Sequence, residues 1–219
     1  MKLAVAFRKS LLIAGLIFAA SAANAGLVSV SQQGLDVTVS WAFTGTQRVN
    51  FNYKADFTNA DSEWVGATAD AFSVQFGSVG GEATLIDSIA GTATSANAAG
   101  SWQGFQDKVT GNGCSAGTAD AACYTVLLSG EGGDGAQIIA KQIYDWNFYI
   151  DFLAGIDVKA ALAQLGSIKF LALKQNRNGQ WSTAAQMSQS ATVPEPGTLS
   201  LLGAALFALG YRMRRKQKS

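Results

Sequence analysis

Two stretches early in the chain alternate strictly between apolar and polar residues. In Leu35–Phe43 the odd-numbered residues are apolar, and residues 49–57 repeat the pattern with a period of two. A period of two places every second side chain on the same face of a β-strand. One face of each strand is therefore expected to lie in a core and the other in water. Residues 44–47, between the two stretches, predict a hairpin turn.

The rest of the region between the chain ends also favours β-structure. One helix is predicted at residues 158–165, with Asp157 as its N-cap and Gly166 as its end. The 24 glycines suit frequent turns, and residues 91–104 and 111–117 are predicted to be long surface loops. The pattern predicts an all-β fold, an antiparallel, jelly-roll-like β-sandwich with one short helix. Further strands are predicted at residues 71–76, 83–89, 124–129, 142–152, 167–174 and 181–187, with Asn178-Gly179 in the last hairpin turn.

The first 25 residues have the three-part composition of a secretory signal peptide. A positively charged segment at residues 2–9 precedes an uncharged apolar run at residues 11–20. Ala23-Asn24-Ala25 then provides the small residues that a signal peptidase requires. The sequence predicts export and cleavage after Ala25. A permanent N-terminal anchor is the alternative, and the shortness of the apolar run disfavours it.

The C-terminal end combines a proline-rich triplet, an apolar run and a basic tail. Pro194-Glu195-Pro196 precedes the apolar residues 199–211. Basic residues after an apolar segment act as a cytoplasmic stop, so the domain is predicted to lie across the membrane from them. As a helix, this segment would cover about 20 Å of a bilayer core of roughly 30 Å, which makes it a marginal transmembrane anchor. The basic stop consists of Arg212, Arg214, Arg215 and Lys216.

This order of Pro-Glu-Pro, short apolar helix and Arg-rich end resembles the PEP-CTERM sorting domain. The resemblance covers about residues 193–218. It implies a bacterium with an outer membrane, processing by an exosortase, and association with exopolysaccharide or biofilm matrix. It also implies an inner membrane-anchored precursor that is later released or attached at the cell surface. A plain tail anchor with an accidental Pro-Glu-Pro is the alternative.

Charge is distributed unevenly along the chain. Three of the 16 basic residues lie in the predicted signal peptide and five in the tail, whereas all 15 acidic residues lie between them. The predicted domain, about residues 26–192 with the adjoining Glu195, thus has 8 basic residues against 15 acidic ones, a balance of −7. This balance disfavours nucleic acid as a partner. The chain has no histidine, which excludes a Ser-His-Asp triad and His-based zinc sites, and no metal or other cofactor is predicted.

The two cysteines, Cys114 and Cys123, are predicted to form a disulfide. An exported domain meets an oxidising environment, where such a bond persists. Free thiols are the alternative. Two thiolates do not complete a four-ligand zinc site, and the spacing differs from the C-x-x-C of redox-active pairs.

A candidate ligand face lies in the predicted strand at residues 142–152. Asp145, Asn147, Tyr149 and Asp151 alternate with apolar residues and therefore share one face. Such a face can bind sugar, with a ring stacked on Tyr149 and polar groups bonded to hydroxyls. Paired carboxylates also hydrolyse glycosides, but Asp145 and Asp151 would lie about 20 Å apart on one strand, too far for a catalytic pair. A solvated sheet face is the alternative.

Two further features are weaker candidates. Residues 131–135 contain Glu131, Asp134 and three glycines, a composition that suits either a calcium site or a Gly-rich hairpin loop. Trp64 and Trp102 lie near predicted loops and are candidates for an exposed stacking platform, although tryptophans near loops also pack inward.

The sequence as a whole predicts a non-enzymatic exported β-sandwich that an exosortase processes. Three functions remain as hypotheses for the domain itself. It can be a carbohydrate-binding module for matrix polysaccharide, a structural protein that self-associates, or a carboxylate-based glycosidase. The last ranks lowest, because no nucleophile motif or close carboxylate pair is recognisable.

Overall fold

Antiparallel strands make up most of the described chain, as the sequence predicts. A computed structural model describes residues 25–80, 84–98, 100–110, 113–114, 120–126 and 135–191. The predicted signal peptide up to residue 24, Pro194-Glu195-Pro196, the apolar run and the basic stop lie outside the described residues. Within the described ranges, no helix is long and apolar enough to cross a membrane.

The elements follow one another in an order dominated by strands. In chain order they are β1 (Ala25–Gln32), β2 (Leu35–Phe43), β3 (Arg48–Asp56), β4 (Thr68–Phe76), β5 (Ile86–Ile89), β6 (Thr92–Ala93), β7 (Trp102–Phe105), β8 (Val109–Thr110), β9 (Gly113–Cys114), β10 (Ala121–Val126), β11 (Ile143–Phe152), α1 (Val158–Ala163), β12 (Leu165–Gln175) and β13 (Trp181–Ser190).

Two sheets contain most of these strands. Sheet A has the order β1-β2-β3-β11-β5, and sheet B has the order β13-β12-β4-β10-β7-β6. The chain crosses between the sheets after β3, β4, β5, β10 and β11. The sheets face each other, because the Tyr53 hydroxyl of sheet A donates a hydrogen bond to the Lys169 carbonyl oxygen of sheet B at 2.8 Å. The predicted sandwich is therefore confirmed.

Aromatic rings fill the space between the sheets. The ring of Phe72, on β4, lies close to aromatic rings of both sheets. The distances between its centroid and theirs range from 4.6 Å for Tyr53 to 5.8 Å for Phe148. Ring pairs at such distances contribute about 0.5–1.5 kcal/mol each beyond the area that they bury. The buried hydroxyl of Tyr124 donates to the Ala90 carbonyl oxygen at 3.1 Å, whereas the buried indole Nε1 atoms of Trp64 and Trp146 have no hydrogen-bond partner.

The hairpin of β2 and β3 forms as the alternating pattern predicts. Residues 44–47 make the turn, which the Thr44 N–H closes by donating to the Arg48 carbonyl oxygen at 3.1 Å. In the paired strands Phe43 lies opposite Val49 and, at the far end of the hairpin, Asp36 lies opposite Asp56. The apolar sets of both strands consequently point into the core.

The helix begins as predicted but ends earlier. The Asp157 carboxylate accepts hydrogen bonds from the N–H groups of Lys159 and Ala160 at 3.0 and 3.1 Å, which confirms the N-cap. The prediction that Gly166 ends the helix is wrong. Gln164 closes the helix through its own N–H, and the chain enters β12 at Leu165.

One of the predicted loops contains strands. Residues 91–104 include β6 and most of β7, which pair with each other, and β7 also pairs with β10. The loop prediction is wrong there, because β6 has two residues and β7 has four, which is too short for the alternation that reveals a strand from sequence. In residues 111–117, the described Gly113 and Cys114 form β9.

Candidate functional site

The outer surface of sheet A is a row of polar side chains that we call the polar face. It arises because β3 and β11 pair in register, so that their outward residues lie opposite each other. The predicted ligand residues of β11 therefore do share one surface, and they gain partners from β3 and β2. The polar face consists of Asp36, Arg48, Asn50, Asn52, Lys54, Asp56, Asp145, Asn147, Tyr149 and Asp151.

One end of the polar face is held by an ion pair. Arg48 donates to Asp151 through two nitrogens, Nε to Oδ1 at 2.7 Å and Nη2 to Oδ2 at 2.6 Å. The Ser88 hydroxyl donates to the same Oδ2 at 3.1 Å. These bonds favour the carboxylate, so Arg48 is the main reason that the pKa of Asp151 lies below its ordinary value. Asp151 is thus a charged carboxylate whose position is held by three hydrogen bonds.

The ring of Tyr149 lies beside this ion pair. The Arg48 guanidinium carbon is 4.1 Å from the ring centroid, a cation–π contact. The same cation therefore contacts both the carboxylate and the ring. A sugar that stacked on this face of Tyr149 would have to displace the guanidinium, a cost that the sequence alone does not reveal.

The centre of the polar face is neutral. Asn52 Nδ2 donates to Asn147 Oδ1 at 3.0 Å across the two strands. Asn147 is exposed, and so is its diagonal neighbour Asn50. These amides present hydrogen-bond donors and acceptors to solvent in a row along the sheet. Side-chain amides can form hydrogen bonds with sugar hydroxyls.

The acidic residues at the other end form a pair that sequence reasoning missed. Asp145 and Asp151 remain six residues apart on β11, but Asp36 lies directly opposite Asp56. Cβ atoms of such cross-strand neighbours are typically about 4.5–5.5 Å apart. The alternation of β2 and β3 was a partial signal, because residues opposite each other on two paired strands point to the same side of the sheet.

Asp56, one member of this opposed pair, lacks the property that an acid catalyst needs. Asp56 Oδ1 accepts a hydrogen bond from the Thr58 N–H at 2.9 Å, and Thr58 is the main reason that the Asp56 pKa is lowered. A general acid for glycoside hydrolysis needs a raised pKa instead. Asp56 is therefore poorly suited to donate a proton near neutral pH.

The two tryptophans proposed as surface platforms are buried. Trp64 is 0% exposed and contacts Phe57 and Phe170, whereas Trp102 is 1% exposed and contacts Phe72. The prediction of an exposed stacking platform at these positions is wrong. Trp102 lies on β7, a strand of sheet B, and Trp64 lies in the segment between β3 and β4; both side chains pack against rings of the aromatic core.

The outer surface of sheet B differs from the polar face. Cys114 and Cys123 form the predicted disulfide, which joins β9 to β10 on this side. Asp70 lies in the same region and is only 4% exposed. It is the extra residue of a bulge in β4, because Ala71 lies opposite Leu171 and Ala69 lies opposite Ala172. Burial raises the pKa of Asp70 to about 6.

The described ranges contain no group of three or more acidic or cysteine side chains that could hold a metal ion. The calcium hypothesis for residues 131–135 concerns residues that, apart from Gly135, lie outside the description. It stays a prediction.

Comparison with known proteins identifies one segment. A family model described as the PEP-CTERM protein-sorting motif matches residues 192–216. The match includes Pro194-Glu195-Pro196 and the basic stop, and it contains no residue of the sandwich strands. No curated protein matches the chain. The predicted resemblance is confirmed, and the motif is that of an exported, membrane-anchored precursor that an exosortase sorts.

Proposed function

We propose that the sandwich is a non-enzymatic surface protein that binds a matrix exopolysaccharide through its polar face. The observation that carries this proposal is the solvated row of amides on β3 and β11, which the sorting motif would deliver outside the cell. A flat row of neutral donors and acceptors suits an extended polymer better than a small ligand, which needs a concave site.

The charges on the polar face favour a particular class of polysaccharide. Its two cations, Arg48 and Lys54, lie opposite Asp151 and Asp145, which leaves the opposed Asp36 and Asp56 in excess. An acidic polymer is repelled by this surface and by the acidic domain as a whole. The ligand is therefore a neutral polysaccharide or one that bears protonated amines.

The pKa values and the burial of three carboxylates support the proposal that the domain is not an enzyme. Asp56 and Asp151 have lowered pKa values, so both are bases of low strength. Asp70 has the raised pKa of an acid catalyst, but it is buried on the other sheet. Incubation of the mature protein with the bound polysaccharide should release no reducing ends.

The binding proposal is tested with the mature protein and three immobilised polymers: a neutral glucan, an amino-sugar polymer and a polyuronate. We expect retention on one of the first two and none on the polyuronate. The double variant Asn52→Ala/Asn147→Ala should weaken retention at least tenfold, because it removes the central amide pair. Asn178→Ala, an exposed amide at a hairpin tip, is the matched control and should bind normally. Equal retention of both variants would refute a role for the polar face.

Delivery is tested separately by intact mass spectrometry of the mature protein. Processing at the sorting motif should remove the basic stop, so the mature mass should exclude Arg214 and Lys218. A mature protein that retains these residues would contradict exosortase processing and leave the binding result unaffected.

A further inference from the structure

The hairpin of β8 and β9 covers an apolar patch on the outside of sheet B. This patch forms a cluster separate from the core between the sheets, and we call it the covered face. Val109 of the hairpin is 1% exposed, and its side chain packs against this patch. The covered face consists of Ala71, Cys123, Leu171 and Leu173 of sheet B, and Val109 of the hairpin completes the apolar cluster.

Two long hydrogen bonds join Val109 of the hairpin to sheet B. The Val109 N–H donates to the Ser73 hydroxyl oxygen at 3.3 Å, and Lys169 Nζ donates to the Val109 carbonyl oxygen at 3.4 Å. Both distances exceed the usual 2.9–3.0 Å, at which such bonds are strongest. In the sheet pairing of the described strands, β8 and β9 pair with each other and with neither large sheet. The disulfide between Cys114 and Cys123 is the covalent link.

A buried carboxylate lies beneath the same hairpin. A Cβ atom built on Gly113 would lie 3.5 Å from Asp70 Oδ2 and 3.6 Å from Thr125 Oγ1. Gly113 also has a φ of +90°, a backbone conformation that glycine adopts without strain. The backbone of Gly113 therefore lies directly over the Asp70 carboxylate, and the positive φ at residue 113, rather than a lack of space, is what favours glycine there.

We propose that the Cys114–Cys123 disulfide forms after export and holds the β8–β9 hairpin closed over the covered face. The redox state of the compartment thereby controls whether the hairpin is closed. The two-sheet core forms without it, because the disulfide lies outside that core. In closure, both thiols lose their protons and are oxidised to one disulfide. A protein thiol–disulfide oxidant outside the cytoplasm accepts the two electrons, and its own disulfide is reduced to two thiols. In a reducing compartment the hairpin stays open.

The proposal is tested by hydrogen exchange on the mature protein, oxidised and then reduced with dithiothreitol. Opening of the hairpin should expose the amides of Val109, Thr110 and Gly113, whose protection should fall about 100-fold. This is the factor that the chain-entropy model predicts for a loop of about ten residues. Amides of β3 and β11 should keep their protection, and reoxidation should restore that of the hairpin.

A variant and a second measurement complete the test. Cys114→Ala/Cys123→Ala should behave like the reduced protein, and the pKa of Asp70, followed by NMR, should return toward its ordinary value once water reaches it. Unchanged hairpin protection after reduction would overturn the proposal. Loss of protection throughout β3 and β11 would also overturn it, because the disulfide would then hold the whole sandwich.

Discussion

The two outer surfaces of the sandwich differ in polarity and in how far they are buried. On sheet A, β11 alternates between buried and outward residues, and the outward residues meet polar partners in solvent. On sheet B, eight of the nine residues of β4 are buried, because the β8–β9 hairpin and the strands on both sides enclose it. One sheet thus uses its outer surface for polar contacts, and the other uses it for a second apolar cluster.

This difference shows that a segment covering the outer surface of a strand removes the need for polar residues on that surface. A solvated strand must alternate, because its outer residues face water. A strand covered on both faces is free of that requirement, and β4 indeed carries Ala71 outward where β11 carries charged or amide groups. The outer surface of sheet B is accordingly the place where substitutions should cost more.

The largest expected effect is that of Leu171→Ala, on the covered face. Leu171 is 0% exposed, so truncation should leave a cavity and lower the free energy of unfolding by about 2–5 kcal/mol. Asn50→Ala, an exposed position on the polar face, should change it by less than about 0.5 kcal/mol. Urea denaturation of both variants measures the difference. Similar losses from the two would show that the outer surfaces are energetically alike.

An intermediate effect is expected from Asp70→Asn. Burial raises the pKa of Asp70 from 3.8 to about 6, so the folded state disfavours the charged carboxylate. Stability is therefore lost as pH rises from about 4 to about 6, and at pH 7 the full penalty remains. The variant removes the ionisation and should be more stable at pH 7 by about 1–3 kcal/mol, with a much smaller gain below pH 4.

Asp87→Asn, which neutralises an exposed carboxylate, is the control for Asp70→Asn. As a substitution of an exposed side chain, it should change the free energy of unfolding at pH 7 by less than about 0.5 kcal/mol. A gain for Asp70→Asn that is equal at pH 3 and pH 7 would show that ionisation beneath the hairpin is not the cause.

The smallest effect is expected from Asp36→Asn on the polar face. Asp36 lies opposite Asp56, and like charges in opposed positions destabilise a sheet. The substitution should raise the free energy of unfolding by about 0.2–1 kcal/mol at low salt, and less as salt screens the pair. Thermal unfolding at two salt concentrations measures the gain. A gain that does not depend on salt would rule out charge repulsion as its source.

The comparison of the two surfaces also explains which parts were predictable. The strands β2, β3 and β11 follow from alternation, and the Asp157 cap follows from its position before an apolar helical repeat. The strands β6 and β7 were missed, because two and four residues are too few to show a period. Strand β1 was also missed, since it begins where the predicted signal peptide ends.

The sequence by itself determined the β-sandwich class, the disulfide, the helix cap and the sorting motif, since each depends on local spacing or composition. The tertiary structure alone decided the contacts that join distant segments. Arg48 and Asp151 are 103 residues apart, and the bulge at Asp70 lies in the pairing of β4 with β12, a strand much later in the chain. Strand pairing over such separations depends on how the whole chain packs, and no short window of sequence contains that information.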